Sequence, residues 1–233
     1  MNVMNTLNGA SLKIEERKLT DRHGRQRVGN YMHLSNGRKF FPFDPRPDEV
    51  DIEVIAHHLA CNGRWQGATQ HKRFKSRIFM SVAEHSVYVA RYVAEELGRP
   101  DLELEALLHD GSEGYIGDLI RPLKYSPEFR APFFAVEEIN EKVIGSRFNL
   151  IYPFPKEIKR ADEAVTEAEH QQIIFRHPEE EWESGLLHET KVCAPYDIQM
   201  LDPFPAKEFF LEAYYRIIAQ REKYRSLPSD FRV

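Results

Sequence analysis

Along the first 48 residues, apolar positions are scattered among polar and turn-forming ones, and one stretch has the texture of paired strands. In "GNYMHLSNGRKFFPFDPRP" aromatic residues alternate about Asn36-Gly37, a turn signal that predicts a short β-hairpin. After Pro47 the texture becomes helical. Asp51 is placed to cap a helix through "IEVIAHHLA", and Ser81 with Glu84 makes an S-x-x-E capping box ahead of "VAEHSVYVARYVAEEL". Asp101, directly after Pro100, is placed to cap "LELEALLHD". Further helices are expected over residues 130–146 and 155–175. Asp202 and Pro203 open a last one, where Phe209, Phe210, Ala213, Tyr214, Ile217 and Ile218 recur at helical spacing and predict a core face. Residues 176–201 read as a long polar surface loop, and no internal repeat or low-complexity tract interrupts the pattern. The pattern therefore predicts an all-α fold with a small N-terminal β-hairpin. Residues 1–48 form the hairpin region and 49–225 the helical core of a single domain spanning 1–233.

Composition narrows the setting. With 233 residues, 42% hydrophobic and 30% charged, the chain can bury one sizeable core, or a core with a small appendage. A formal charge of −5 argues against a binder of nucleic-acid backbones, which is normally basic. Cys61 and Cys193 lie far apart and form no C-x-x-C pair, so no disulfide framework is expected and a reducing cytoplasm suits the chain. "MNVMNTLNGASLKIEERK" has no apolar run of signal-peptide length, and no later run is long enough for a bilayer span. A cytoplasmic domain is the expectation, without nucleic acid or membrane among its partners.

The chemistry gathers in "EALLHDGSEGYIGD", where His109, Asp110, Glu113 and Asp118 fall within ten positions. Burying such groups is costly unless something compensates them. Imidazole and carboxylate are ligands of divalent first-row metals, and a site needs several converging. His85 lies near the start of the helix after Ser81, His109 and Asp110 close the helix after Asp101, and Asp162 sits near the front of a third helix in "EIKRADEAVTEAEH". Adjacent helical residues point ~100° apart. His109 and Asp110 can therefore act together only at an edge or at a loosening helix end, which Gly111 and Gly114 favour. His57, His58 and Cys61 also cluster on one helix, but no second ligand group follows at zinc-finger spacing. His170, His177 and His188 adjoin an acidic run and read as exposed.

The order H, then HD, then D, each on an apolar helix, resembles the HD-domain phosphohydrolase superfamily. "SVAEHSVYVA" is similar to its first-histidine motif, "LLHDGSEGYIGDLIRPLK" to its HD motif with downstream acids, and "IKRADEAVTEAE" to its distal aspartate motif. With "GRKFFPFDPRPDEVDIEVIAHHLACNGRWQGAT" the resemblance spans about residues 28–172. It is nearest to the 5′-deoxynucleotidase branch and its phage-type relatives, which include dATP triphosphohydrolases.

The resemblance implies an HD-domain helical bundle. In it, His85, His109, Asp110 and Asp162 ligate one divalent ion (Zn, Co, Mn or Mg), and Glu113 and Asp118 handle protons beside it. Arg64 in "NGRWQG" matches the branch's phosphate-contacting arginine, and guanidinium suits that role because it binds bidentately. Lys124 is a second cation for phosphate, with Lys159 and Arg121 ranking behind it. Trp65 offers an indole face to a nucleobase, with Gln66 a further group for a base edge. The basic stretch "QHKRFKSR" between Arg64 and His85 is expected as a flap that meets a di- or triphosphate tail. The implied reaction is hydrolysis of a dNMP to deoxynucleoside and phosphate, or of a dNTP such as dATP to deoxynucleoside and triphosphate. The alternatives are a non-hydrolytic nucleotide-sensing module and a hydrolase of another nucleotide class. Expected partners are the small nucleotide and further copies of the chain, as a homo-oligomer.

Overall fold

A computed structural model describes residues 6–7, 10–11, 19–182 and 192–226. Helices predominate among them, and the strands are short pairs near the N-terminus. The pairs are β1 (Thr6–Leu7) with β2 (Ala10–Ser11), β3 (Leu19–Thr20) with β4 (Gln26–Arg27), and β5 (Met32–His33) with β6 (Lys39–Phe40), all antiparallel. The helices are α1 (Ile52–Cys61), α2 (Val82–Glu95), α3 (Glu103–Leu107), α4 (Glu113–Ile116), α5 (Arg121–Lys124), α6 (Pro127–Phe148), α7 (Lys156–Ile173) and α8 (Pro203–Ser226). No helix among the described residues is long and apolar enough to cross a membrane. The chain divides into two compact units. One comprises residues up to His58 with Gly111–Tyr152, the other Leu59–Asp110 with the chain from Pro153 onward.

In the first unit the expected hairpin forms about Asn36-Gly37, with Met32 opposite Phe40 and His33 opposite Lys39. Leu34 N–H donates to Arg38 O at 2.9 Å, and Gly37 sits at φ 76°, where a side chain would strain the backbone. The hairpins β1–β2 and β3–β4 add to the one expected. The turn of the second is organised by Asp21, whose Oδ1 accepts the His23 and Arg25 N–H groups at 2.8 and 3.0 Å. Arg27 on β4 has a fully buried side chain, paired with Asp44 at 2.8 Å, Asp21 at 3.2 Å and Glu49, with its guanidinium over the Phe41 ring. Phe40 stacks on Tyr115, and Asn140 of α6 donates to Pro42 O at 2.9 Å. His58 is committed here too: Nδ1–H donates to Gly114 O at 2.6 Å and Nε2 accepts the Ser35 N–H at 3.1 Å.

In the second unit α2 is central. It packs on α3, α7 and α8 and is buried nearly all round, so its apolar residues do not form a single stripe. Of the face predicted on α8, Phe210, Ala213 and Ile217 are buried and Phe209, Tyr214 and Ile218 half-buried, with Ala206 buried one turn before them. Buried Glu103 and Glu105 of α3 pair with Arg216 and Arg221 of α8.

Three local readings are corrected. Asp101 does not cap α3: it lies in a 3₁₀ turn, Pro100–Leu102, and its carboxylate pairs with Arg99. The Ser81–Glu84 capping box is half made. Ser81 Oγ accepts the Glu84 N–H at 3.1 Å, but the Glu84 carboxylate accepts the N–H groups of Gln199, Met200 and Leu201 at 2.9, 2.9 and 2.7 Å. The partner of Glu84 is therefore the segment expected as a surface loop. Residues 194–200 form a strap that buries Ala194, Tyr196, Ile198 and Met200 and exposes the residues between them, with Met200 at φ 55°. That is a period of two without a sheet partner.

Candidate metal centre

The residues for this site come from three places in the second unit, each held by local structure. Arg64 N–H donates to Met80 O at 2.8 Å and Val82 N–H to Asn62 O at 3.0 Å, tying residues 62–64 to the start of α2. His85, in the first turn of α2, is completely buried. α3 ends at Leu107, so His109 and Asp110 occupy the turn after it, the loosened helix end that lets neighbours share a focus. Asp162 lies in the first half of α7. Small residues at Ala161, Ala164 and Ala168 line the buried side of that helix.

His85, His109 and Asp162 converge, each offering one ligand atom, with these atoms all within 4.8 Å of one another. His85 Nε2 lies 3.1 Å from Asp162 Oδ1. Asp110 falls outside that mutual set but stands beside it, its Oδ2 3.3 Å from His109 Nε2 and 3.9 Å from His85 Nε2. The opposite edge of each ring is occupied. His85 Nδ1 meets Glu169 Oε1 at 2.5 Å, and His109 Nδ1 meets Ala106 O at 2.8 Å. Both Nε2 atoms are buried with no hydrogen-bond partner. Buried polar atoms are rarely left so, and two imidazole nitrogens aimed at carboxylates with their other nitrogens engaged are what a divalent ion requires. The donor set fits a metal.

The electrostatics agree. Burial and the Arg64 charge push the His85 imidazole down, yet the Glu169 and Asp162 carboxylates outweigh both and hold it up at about 9. Burial opposes ionisation of Asp162, but His85, His109 and Arg64 keep its carboxyl well below the usual range. The pocket is thus a place where positive charge is favoured.

Glu169 and Thr166 were not singled out from the sequence. Glu169 is fully buried, and its Oε2 accepts Trp65 Nε1–H at 2.7 Å and Arg64 Nε–H at 3.2 Å. Burial would raise its pKa, but Arg64, His85 and Trp65 lower it further than burial raises it. Thr166 Oγ1 donates to Asp162 Oδ1 at 3.3 Å and accepts from Arg64 Nη2 at 3.3 Å. A signal was present: Asp162, Thr166 and Glu169 stand at i, i+4 and i+7, one face of α7.

The other expected site residues fall as follows. Trp65 and Gln66 have φ of 55° and 53°, a left-handed conformation that Gly67 continues at 79°. Trp65 is half-buried, its ring 6.2 Å from that of His170. The basic stretch is exposed from Lys72 to Arg77 and is tied down at two points. Lys72 Nζ donates to Gln171 O and His170 O at the end of α7, and Arg77 donates to Gln199 O. Glu113, half-buried, begins α4, and Asp118 follows that helix, exposed, accepting from Lys124 Nζ at 3.2 Å. Lys124 also donates to Glu137 at 2.9 Å; burial lowers its pKa, but the two carboxylates raise it well above the usual range. These three belong to the first unit. Lys159 and Arg121 are exposed, and among the described residues no ligand cluster forms at His57, His58 and Cys61. His170 is half-buried and His177 exposed, while His188 lies outside the described residues.

No family model matches the chain. It is similar to an uncharacterized protein of Rhodobacter capsulatus, at 33% identity over 139 residues that cover 58% of this chain and 66% of that one. It is also similar to the uncharacterized protein YfdR of Escherichia coli, at 28% identity over 134 residues that cover 57% of this chain and 66% of that one. The aligned part thus spans just under two thirds of each relative, and neither name carries a function.

Proposed function

We propose that the chain is a metal-dependent phosphohydrolase of 5′-deoxynucleotides, releasing phosphate from a dNMP or triphosphate from a dNTP such as dATP. The observation that carries the reading is the pair of buried, unpartnered Nε2 atoms of His85 and His109 beside the Asp162 and Asp110 carboxylates. His85, His109, Asp110 and Asp162 would hold a divalent ion, which when bound polarises a phosphoryl oxygen and acidifies water. The substrate class rests on the order of the H, HD and D motifs and their resemblance to the 5′-deoxynucleotidases.

In this reading the protein's own groups divide the work. Glu169 and the Ala106 carbonyl hold the two imidazoles so that each turns Nε2 toward the carboxylates. By the motif resemblance, Glu113 and Asp118 would move the protons, one from the attacking water and one to the leaving oxygen. Lys124, donating to Asp118, sets the direction of that carboxylate. Arg64 brings positive charge to the phosphate, and Trp65 presents a face to the base.

One observation favours a non-hydrolytic nucleotide sensor instead. Arg64 Nε and Nη2 are engaged by Glu169 and Thr166, which suits a guanidinium that holds a fixed structure rather than one that follows a transition state. Incubating the metal-loaded protein with each of the four dNMPs and four dNTPs, followed by chromatography of the products, separates the readings. The proposal expects a deoxynucleoside with phosphate or triphosphate. Tight binding without turnover would establish the sensor, and neither binding nor turnover would refute both.

A further inference from the structure

We infer that Glu169 is a positioning residue for the metal centre, and that it joins the ligands to the Arg64–Gly67 turn through a closed ring of contacts. The inference rests on the proposed metal site, and it concerns residues the resemblance does not assign. The ring starts at His85, whose Nδ1 meets Glu169 Oε1 at 2.5 Å. The other oxygen, Oε2, accepts from Arg64 Nε at 3.2 Å and Trp65 Nε1 at 2.7 Å. Arg64 Nη2 continues to Thr166 Oγ1 at 3.3 Å, and Thr166 to Asp162 Oδ1 at 3.3 Å. Asp162 Oδ1 then stands 3.1 Å from His85 Nε2. Two of the three converging ligands are therefore reached from one guanidinium, through Glu169 on one side and Thr166 on the other.

The chemistry requires a carboxylate at this point. Every polar group that meets Glu169 is a donor: an imidazole N–H, an indole N–H and a guanidinium. A carboxylate is acceptor-only and satisfies them all, whereas an amide would set its NH₂ against one of them. A purely structural ion pair explains less. Buried pairs are commonly no more stabilising than apolar residues of the same volume, and such a role gives no reason for His85 Nε2 to face the Asp162 and Asp110 carboxylates. A carboxylate on the far nitrogen of a ligating histidine fixes the ring's orientation and raises its basicity. The same carboxylate restrains Trp65 in a left-handed conformation that bulky side chains avoid.

The test titrates full-length protein with Co(II) and reads both affinity and the d–d absorption spectrum, with no nucleotide present. Glu169→Gln is expected to weaken Co(II) binding roughly 10- to 100-fold and to alter the spectrum. Glu163→Gln, on the same helix, should change neither. Should Glu169→Gln fail to fold, Thr166→Val opens the ring at a less buried point. It is expected to weaken Co(II) binding severalfold and shift the spectrum, with helicity by circular dichroism unchanged. Wild-type affinity and spectrum in folded Glu169→Gln, or in Thr166→Val where the former does not fold, would overturn the inference while leaving the metal site standing. A wild-type protein that takes up no Co(II) would overturn both. Absence of turnover in a metal-loaded protein would count against the phosphohydrolase reading alone.

Discussion

Buried charge at single residues sets the terms for both units. Asp21 is the clearest case. Burial would raise its pKa from 3.8, but hydrogen bonds from the Arg25 side chain and from the Arg25 and His23 backbone hold the carboxyl well below the usual range. A carboxyl depressed on folding contributes stability that is present above its unfolded pKa and is lost as pH falls through the folded value. Melting temperature should therefore fall steeply between about pH 4 and pH 2. Asp21→Asn should melt lower at neutral pH and show a flatter acid limb by differential scanning calorimetry; parallel acid limbs would refute this. The proposed catalytic acids make a kinetic prediction at the same scale. Glu113→Ala and Asp118→Ala should each fold and lose kcat by ~10²-fold or more under saturating metal and substrate. A variant that keeps the wild-type kcat would show its residue to be structural.

Among the elements, the strap over residues 194–200 depends most on a single side chain. Its backbone has no sheet to join: Ala194 N–H donates to Ala164 O of α7 at 2.9 Å, and the later donors turn to side chains, Ile198 to Gln172 Oε1 at 3.0 Å and Gln199, Met200 and the following Leu201 to Glu84. Removing the acceptor leaves three N–H groups to be resolvated, each costing ~1–3 kcal/mol if it stays buried. Glu84→Ala should cost on the order of 3 kcal/mol or more of stability in urea unfolding. It should also speed hydrogen exchange at the amides of residues 199–201 well before those of α2 exchange. Unchanged exchange at those amides would show that the strap is held by its apolar residues alone.

At the scale of the whole molecule, the prediction concerns occupancy of the centre. An ion that binds the folded chain and not the unfolded one adds RT ln(1 + [L]/Kd), about 2.7 kcal/mol at a hundredfold excess over Kd. For a chain of this length each kcal/mol moves the midpoint by roughly 2–4 °C, so saturating Zn(II) or Co(II) should raise Tm by about 5–10 °C. A chelator should reverse the rise, and His109→Ala should abolish it. An equal rise in His109→Ala would place the ion elsewhere.

The local pattern was sufficient for the hairpin at Asn36-Gly37 and for most helices to within a few residues; His85, His109, Asp110 and Asp162 were grouped by the motif resemblance, and it is the structure that brings His85, His109 and Asp162 together. The hairpin and the helices depend on neighbours in the chain, through turn chemistry and helical period. The alternation of Ala194, Tyr196, Ile198 and Met200 was also legible, but it lay within a stretch whose overall polarity pointed to a surface loop. Partners distant in the chain were decided by the tertiary structure. Glu84 looks like half a capping box because Ser81 is three residues away, yet its acceptors are used by a backbone over a hundred residues on. Glu169 carries no mark of importance until Arg64, Trp65 and His85 supply its donors, some 84 to 105 residues away. Sequence periodicity identifies which face of a helix is buried. Which charges meet there depends on how helices separated in the chain pack, because a buried carboxylate is tolerated only where donors from other elements arrive to satisfy it.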